Sequence, residues 1–156
     1  NEWFAGELER DAVKKLTISL CYGASERSLV LGSGASKDQI QKLMQDLRLK
    51  SFSRQLRSQY DDLRWVYSLT GRPIFPKEKN PRPGVLINNC IQSTGVDVSI
   101  ESFSTLINEL GCTPHVVVHD AVYASSDHEL PQHVTVKSDI LKGRKIKCTV
   151  KRLENV

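Results

Sequence analysis

Three groups of residues have the types and spacing that chemistry needs. Arg10, Lys14, Ile18 and Tyr22 follow one another at four-residue intervals, and Gly23 closes the run. On a helix four residues make just over one turn, so these side chains share a face. Two cations and an aromatic on one stripe suit a nucleoside triphosphate. Arg and Lys hold phosphate oxygens by charge-assisted hydrogen bonds, and Tyr22 at the far end stacks near a base. By spacing alone, a solvated basic face capped by an aromatic core residue is the simpler account. The second group is the stretch Asn88-Asn-Cys-Ile-Gln92-Ser-Thr-Gly-Val-Asp97. Asn88 and Gln92 fall on one helix face. Amides there can read the minor groove, where every base pair offers acceptors at equivalent places. A helix start in which Asn and Thr serve only as caps accounts for the same residues. The third group is Val116-Val-Val-His119-Asp120. A carboxylate in a tight turn at the end of a buried strand is well placed to hold Mg²⁺, and an ordinary strand-end Asp is the plainer account.

The elements that must position these groups follow from hydrophobic period and turn chemistry. Leu8, Ala12, Leu16 and Leu20 predict a helix over Glu7 to Leu20, ended by the region of Gly23, Gly32 and Gly34. Ser36, with Gln39 three residues on, predicts a capping box opening a helix over Lys37 to Leu47. A third helical stretch runs from about Phe52 to Tyr67. Leu69 to Asn88 is rich in Gly and Pro and reads as a loop with a short hairpin around Gly71. Helical spacing returns from Asn89 to Leu110, and Gly111 is a helix stop. The β-branched run before His119 predicts a buried strand, with a second strand at Val122-Tyr123-Ala124. His133 to Lys137 and Lys145 to Val150 alternate as strands do. Helices come first and a mixed sheet follows, an α+β layout.

Composition bounds the partners. The 156 residues are 39% hydrophobic and 26% charged, normal for a globular protein with a real core. A formal charge of +4 permits a nucleic-acid partner without arguing for one. No apolar run approaches the roughly 20 residues that span a bilayer, so no membrane partner is expected. Cys21, Cys90, Cys112 and Cys148 are too widely spaced for a zinc site and read as free, buried thiols of an intracellular, reducing compartment. The chain opens on Asn1 and its only methionine is Met44. It therefore reads as a cut fragment, a processed segment or an incomplete protein.

A resemblance joins these groups. Arg10-x-x-x-Lys14-x-x-x-Ile18-x-x-x-Tyr22-Gly23 resembles motif B, the fingers O helix of family A (polymerase I type) DNA polymerases. The phage-type single-subunit RNA polymerases carry a closely similar motif. Leu69-Thr-Gly71-Arg72-Pro-Ile-Phe75-Pro76 resembles the family's L-x-G-R-R-x-x-x-P segment. Asn88 to Asp97 resembles the N-x-x-x-Q-G-T-x-A-D stretch that begins the Q helix, with Ser93 for its Gly and Gly95-Val96 for its x-A pair. Val118-His119-Asp120-Ala121 resembles motif C, V-H-D-E, with Ala121 for Glu. The four stretches occur in the family's order over residues 8 to about 130. The tail from Leu130 matches no family ending.

The resemblance implies a helical fingers-like region over residues 1–76 and a partial palm over residues 77–156. The palm part would hold the Q-helix-like segment, the motif C hairpin and the C-terminal strands around a small antiparallel sheet. It implies that Arg10 and Lys14 face the triphosphate of a dNTP, that Ile18 lies by the sugar and that Tyr22 lies by the templating base. Asn88, Gln92, His119 and Arg72 would contact primer–template DNA. Asp120 would hold metal, and Asp120 and Lys14 would be catalytic. Where the family has an Arg four residues before Asn88, this chain has Gly84, and the nearest Arg is Arg82.

Nucleotidyl transfer by this family uses two Mg²⁺ ions and at least two carboxylates. The second comes from motif A, D-x-S-x-x-E, which does not occur in these residues. The Asp61-Asp62 pair reads as helix surface. The expected function is therefore part of a DNA-directed DNA polymerase, with motif A supplied by another chain or an upstream segment. Two alternatives remain. One is a phage-type RNA polymerase fragment, against which Gln92 to Asp97 argues. The other is a degenerate, non-catalytic descendant that binds nucleic acid or assembles with proteins, which Ala121 and the basic tail from Lys142 to Arg152 favour. That tail alternates charged and apolar residues, as an edge strand with one wet face does, and a contact to DNA backbone is the sharper account of it.

Overall fold

The computed structural model describes residues 8–118 and 120–153. The chain is α+β, with five helices and three small two-stranded antiparallel sheets among the described residues. It divides into two compact units between Ile91 and Gln92.

In the first unit, helix α1 spans Arg10–Cys21 and buries Leu16 and Leu20. Tyr22 ends it in right-handed geometry, and Gly23 then turns left-handed at φ +78°. A second helix follows that the glycine count concealed: α2, Glu26–Ser33. Ser25 caps it by accepting the Ser28 N–H at 3.2 Å. Gly32 lies inside this helix, and only Gly34, left-handed at φ +71°, ends it. A glycine inside a helix costs up to about 1 kcal/mol against Ala, which a good cap and the buried Leu29 offset. Helix α3, Lys37–Asp46, starts with the full capping box. Ser36 Oγ accepts the Gln39 N–H at 3.2 Å, and the Ser36 N–H donates to Gln39 Oε1 at 2.8 Å. Leu16, Leu20, Leu29, Ile40 and Leu43 form one core cluster.

Helix α4 spans Leu49–Leu63 and stops short of the expected Tyr67. Arg64 takes a left-handed cap at φ +69°, and its N–H bonds the Tyr60 carbonyl at 2.8 Å. Val66 then enters β1, Val66–Tyr67, opposite Ile74 of β2, Pro73–Ile74. Gly71, at φ +82°, makes the turn of this hairpin. Fully burying Val66 in the hairpin outweighs one more helical turn, whose apolar period Tyr67 would have continued. Leu56, Tyr60, Val66, Leu86, Ile87 and Cys90 make the second core cluster.

Helix α5 is longer than its apolar period suggested. It runs from Pro83 to Leu110, so the preceding loop ends well before Asn88. Pro83 sits at the first helical position, where its missing N–H has no helical partner to lose. Gly111, at φ +60°, ends the helix.

In the second unit, β3 (Thr113–Val118) pairs with β4 (Ala121–Ser125), and β5 (His133–Ser138) pairs with β6 (Arg144–Thr149). The two hairpins do not share a sheet, so no mixed sheet forms among the described residues. The strand expected to be buried is also exposed: Val116, Val117 and Val118 are 50%, 53% and 44% exposed. A β-branched run reports pleated backbone, and burial needs a covering neighbour that this hairpin lacks among the described residues. All four cysteines are free, but only Cys90 is buried. The other three are half-buried, so the expectation of buried thiols holds for Cys90 alone. Burial pushes the Cys21 and Cys148 thiols above their ordinary range.

Candidate nucleotide and nucleic-acid interface

Within the first unit the stripe on α1 faces solvent. Arg10 and Lys14 are exposed, and Ile18 and Tyr22 are 45% and 53% exposed. The cause is the helix's own division of labour, since Leu16 and Leu20 take the opposite face into the core. Among the described residues Arg10 forms an ion pair with Asp11 at 3.7 Å, with both side chains largely in water, a pair that contributes little. Among the described residues Lys14 has no carboxylate within ion-pair distance. The stripe is thus two solvent-facing cations, an exposed aliphatic side chain and an exposed aromatic ring in line.

The last of these is seated on the start of α5. A Cβ added at Gly84 would stand 2.7 Å from the Tyr22 carbonyl oxygen and 3.1 Å from Gly23 Cα. Only glycine allows the two backbones to meet this closely. From the sequence, Gly84 reads as a loop residue standing where the family has Arg. The geometry leaves an Arg at this position no room at its first side-chain carbon. Arg82 stands just before the helix, and its carbonyl accepts the Val85 and Leu86 N–H groups at 2.9 and 3.3 Å. The one sequence signal for this contact is a glycine directly after the helix-opening Pro83, a place where close backbone approach is a standard cause.

The segment leading to α5 is held by residues that the motifs did not point to. Arg57 binds Asp61 through Nε (3.0 Å to Oδ2) and Nη2 (3.0 Å to Oδ1). Its Nη1 reaches Asn80 Oδ1 at 2.9 Å and the Pro81 carbonyl at 3.2 Å. Tyr60 Oη donates to the Lys79 carbonyl at 3.0 Å. Asp61 and Asp62 are both exposed, as the surface reading expects, and Asp61 in addition orients the guanidinium that pins the loop. Arg72 lies in the β1–β2 turn with its carbonyl accepting the Ser68 N–H at 2.9 Å, and its side chain is exposed.

Asn88 and Gln92 lie one turn apart on α5, Asn88 half-buried and Gln92 exposed. Asn88 belongs to the first unit and Gln92 to the second.

In the second unit Val118 and Ala121 form the last pair of the β3–β4 hairpin, and Asp120 stands in the turn directly before Ala121. Asp120 is exposed there and has no hydrogen-bond or ion-pair partner among the described residues. His119 lies outside the described residues. Among the described residues no group of three or more His, Cys, Asp or Glu is placed to hold a metal ion. One carboxylate is the least that a single Mg²⁺ site of one or two carboxylates plus substrate phosphates asks of its protein. Ala121, adjacent, offers nothing further.

The second unit also contains a clamp without a motif. Glu101, on α5, accepts the Ser138 hydroxyl, the Asp139 N–H at 2.8 Å and the Ile140 N–H at 3.2 Å. The Ser138 hydroxyl first, and then the two backbone N–H groups, hold the Glu101 carboxyl below its ordinary range against the opposing effect of desolvation. This fixes the β5–β6 turn, where Val136 and Ser138 are buried.

No helix among the described residues is long and apolar enough to cross a membrane. Comparison with known proteins finds no family model that matches the chain and no curated protein of significant similarity.

Proposed function

We propose that this chain is part of a template-directed DNA polymerase of the family A type, transferring a nucleotidyl group from a dNTP to a primer 3′-hydroxyl. The observation that carries the reading is the solvent-facing line of Arg10, Lys14, Ile18 and Tyr22 along α1. Support comes from the family-like order of the stretches at Gly71-Arg72, Asn88 to Gln92 and Asp120. The exposed loop position of Asp120 is compatible with metal binding.

The chemistry is in-line attack of the primer oxygen on the α-phosphorus, with pyrophosphate leaving. Arg10 and Lys14 hold the triphosphate and stabilise the charge that gathers on the leaving group. Ile18 packs by the sugar and Tyr22 by the templating base. Tyr22 is held in register by the Gly84 contact beneath it. Asn88, Gln92, Arg72 and His119 contact primer–template DNA. Asp120 would hold Mg²⁺, which supplies neutralisation of phosphate charge and activation of the attacking oxygen. The second carboxylate comes from a polymerase segment carrying D-x-S-x-x-E, in another chain or upstream in the same protein. Such a segment would also cover one face of β3, where Val116 and Val118 on one side and Val117 on the other stand exposed.

Primer extension with Mg²⁺ tests the reading. The chain alone should be inactive, and a mixture with the motif A segment should extend the primer. Asp120→Asn should abolish extension while leaving assembly intact. Extension by the chain alone would mean that Asp97 or Asp127 completes the site and would overturn the division of carboxylates. A stable but inactive assembly would favour a non-catalytic descendant, the reading to which Ala121 in place of a carboxylate lends weight.

A further inference from the structure

The β5–β6 hairpin uses none of the residues assigned to nucleotide or metal. Residues 132–152 hold seven Lys and Arg against the single Asp139, a formal charge of +6, whereas the rest of the chain, with 15 Lys and Arg against 17 Asp and Glu, carries −2. Every Lys and Arg of the second unit lies in this hairpin and the few residues after it. Globular surfaces ordinarily intersperse the two signs, and a single-sign field is the arrangement that attracts a charged partner.

The register concentrates the charge further. Thr135 pairs with Lys147, Lys137 with Lys145, and His133 with Thr149. Alternation puts these six on one face, and all six are exposed, while Val134, Val136, Ser138, Ile146 and Cys148 turn the other way. Lys137 and Lys145 are therefore like charges directly opposite, which opposes strand pairing. Lys137 also folds toward the turn, its Cε 3.0 Å and its Nζ 3.8 Å from where a Gly143 Cβ would stand. Among the described residues none of Lys137, Lys145 and Lys147 has a carboxylate partner. Glu101, which reaches the turn, is committed to Ser138, Asp139 and Ile140. The hairpin thus keeps an uncompensated repulsion that folding alone would not select.

We propose that this face binds the phosphate backbone of nucleic acid without reading sequence. Three lysines in two strands, Lys145 and Lys147 spaced roughly 6.5–7 Å apart along β6, present ammonium groups to successive phosphates. Thr135, Thr149 and His133 add hydrogen-bond donors for phosphate oxygens. The face has no Trp, Phe or Leu to enter a lipid headgroup region, which sets it apart from membrane-surface elements. From the polymerase reading the inference takes only the choice of nucleic acid over other polyanions.

The test is the salt dependence of binding by the full chain to a labelled random-sequence duplex and to a single strand of the same length. Each lysine withdrawn from a phosphate lowers the slope of log K against log salt by about 0.9 on duplex and about 0.7 on single strand. Lys137→Gln/Lys145→Gln/Lys147→Gln should thus lower it by about 2.7 or about 2.1. Between 50 and 200 mM salt the unsubstituted chain should then lose about 40-fold more affinity for duplex than the variant, or about 20-fold for single strand. A fall close to the full three-contact value on one form and well short of it on the other identifies the form that the hairpin holds. Circular dichroism checks that the variant is folded. A control with the same change in net charge, Lys42→Gln/Lys50→Gln/Lys77→Gln, should leave the slope nearly unchanged. An unaltered slope in the hairpin variant, or an equal fall in the control, overturns the proposal. So does loss of binding to phosphatidylserine vesicles without change in the nucleic-acid slope. Asp120-dependent primer extension is scored separately, so either reading can fail while the other stands.

Discussion

Gly84 and Gly95 lie in the same helix, and the structure assigns opposite signs to the same substitution at each. At Gly84 an added Cβ would meet the Tyr22 carbonyl oxygen at 2.7 Å and Gly23 Cα at 3.1 Å. Both are backbone atoms, and both distances fall inside the 3.5–4.0 Å at which non-bonded carbons attract. The first turn of α5 or the end of α1 must then move, an overpacking that costs about 1–3 kcal/mol. At Gly95 nothing lies within 4 Å. Gly95→Ala therefore keeps only the gain in helix propensity, about 0.5–1 kcal/mol. Gly84 sits in the first turn, where that gain is smaller, so Gly84→Ala should be less stable than Gly95→Ala by about 1–3 kcal/mol or slightly more. Urea unfolding followed by helix dichroism measures the difference as a shift in midpoint at constant slope. On the proposed reading, the displaced Tyr22 should also weaken dNTP binding in Gly84→Ala beyond any change in Gly95→Ala. If the two variants unfold together, or if Gly84→Ala is the more stable, the close approach of α5 to α1 is wrong, and with it the account of how Tyr22 is held.

Arg10→Ala and Lys14→Ala should each weaken triphosphate binding by about 1.5–3 kcal/mol, the usual loss for a hydrogen bond to a charged group. Unchanged affinity in both, by calorimetry or fluorescence titration, removes α1 from the nucleotide site. Glu101 carries a pH signature. Its folded carboxyl titrates below its unfolded value, so its contribution is complete above the ordinary carboxylate range and is lost as pH falls through the lowered folded value. Melting temperatures of the chain and of Glu101→Gln should therefore differ at neutral pH and converge in acid, and a constant gap across that range would contradict the clamp. Lys145→Thr removes a like charge opposite Lys137 and should raise stability by about 0.2–1 kcal/mol, whereas a lower unfolding midpoint would show that the pair is supported rather than strained.

What the sequence made legible was local. The Ser36–Gln39 capping box, the turn at Gly71, the helix stop at Gly111 and the two strands from His133 and around Lys145 each depend on residues close in sequence. The errors arise where a distant partner decides. Leu63 continues the α4 period, but Val66 is claimed by Ile74 across the β1–β2 turn. Gly32 looks like a stop, but the Ser25 cap and the burial of Leu29 carry α2 through it. Gly84 reads as loop because its one distinctive property, a backbone 62 residues upstream pressed against it, has no local signature.

The candidate site divides along the same line. A spacing of four residues is enough to foresee that Arg10, Lys14, Ile18 and Tyr22 share a face. It does not show which face the core takes, and Leu16 and Leu20 settle that in favour of an exposed stripe. The run Val116-Val-Val indicates a strand correctly and its surroundings incorrectly. The same three residues that should end a buried strand at Asp120 stand about half in water. A hairpin that keeps β-branched residues on a surface without neighbours is poorly stabilised by itself, because two strands alone bury too little. Its apolar content is consistent with a sheet built for one more strand. On the proposed polymerase reading the carboxylate count reaches the same place from chemistry, since Asp120 would be one ligand where nucleotidyl transfer needs two. On the proposed reading the deficit in packing and the deficit in charge fall on one hairpin, and an added segment that packs against its face and bears a carboxylate would remedy both.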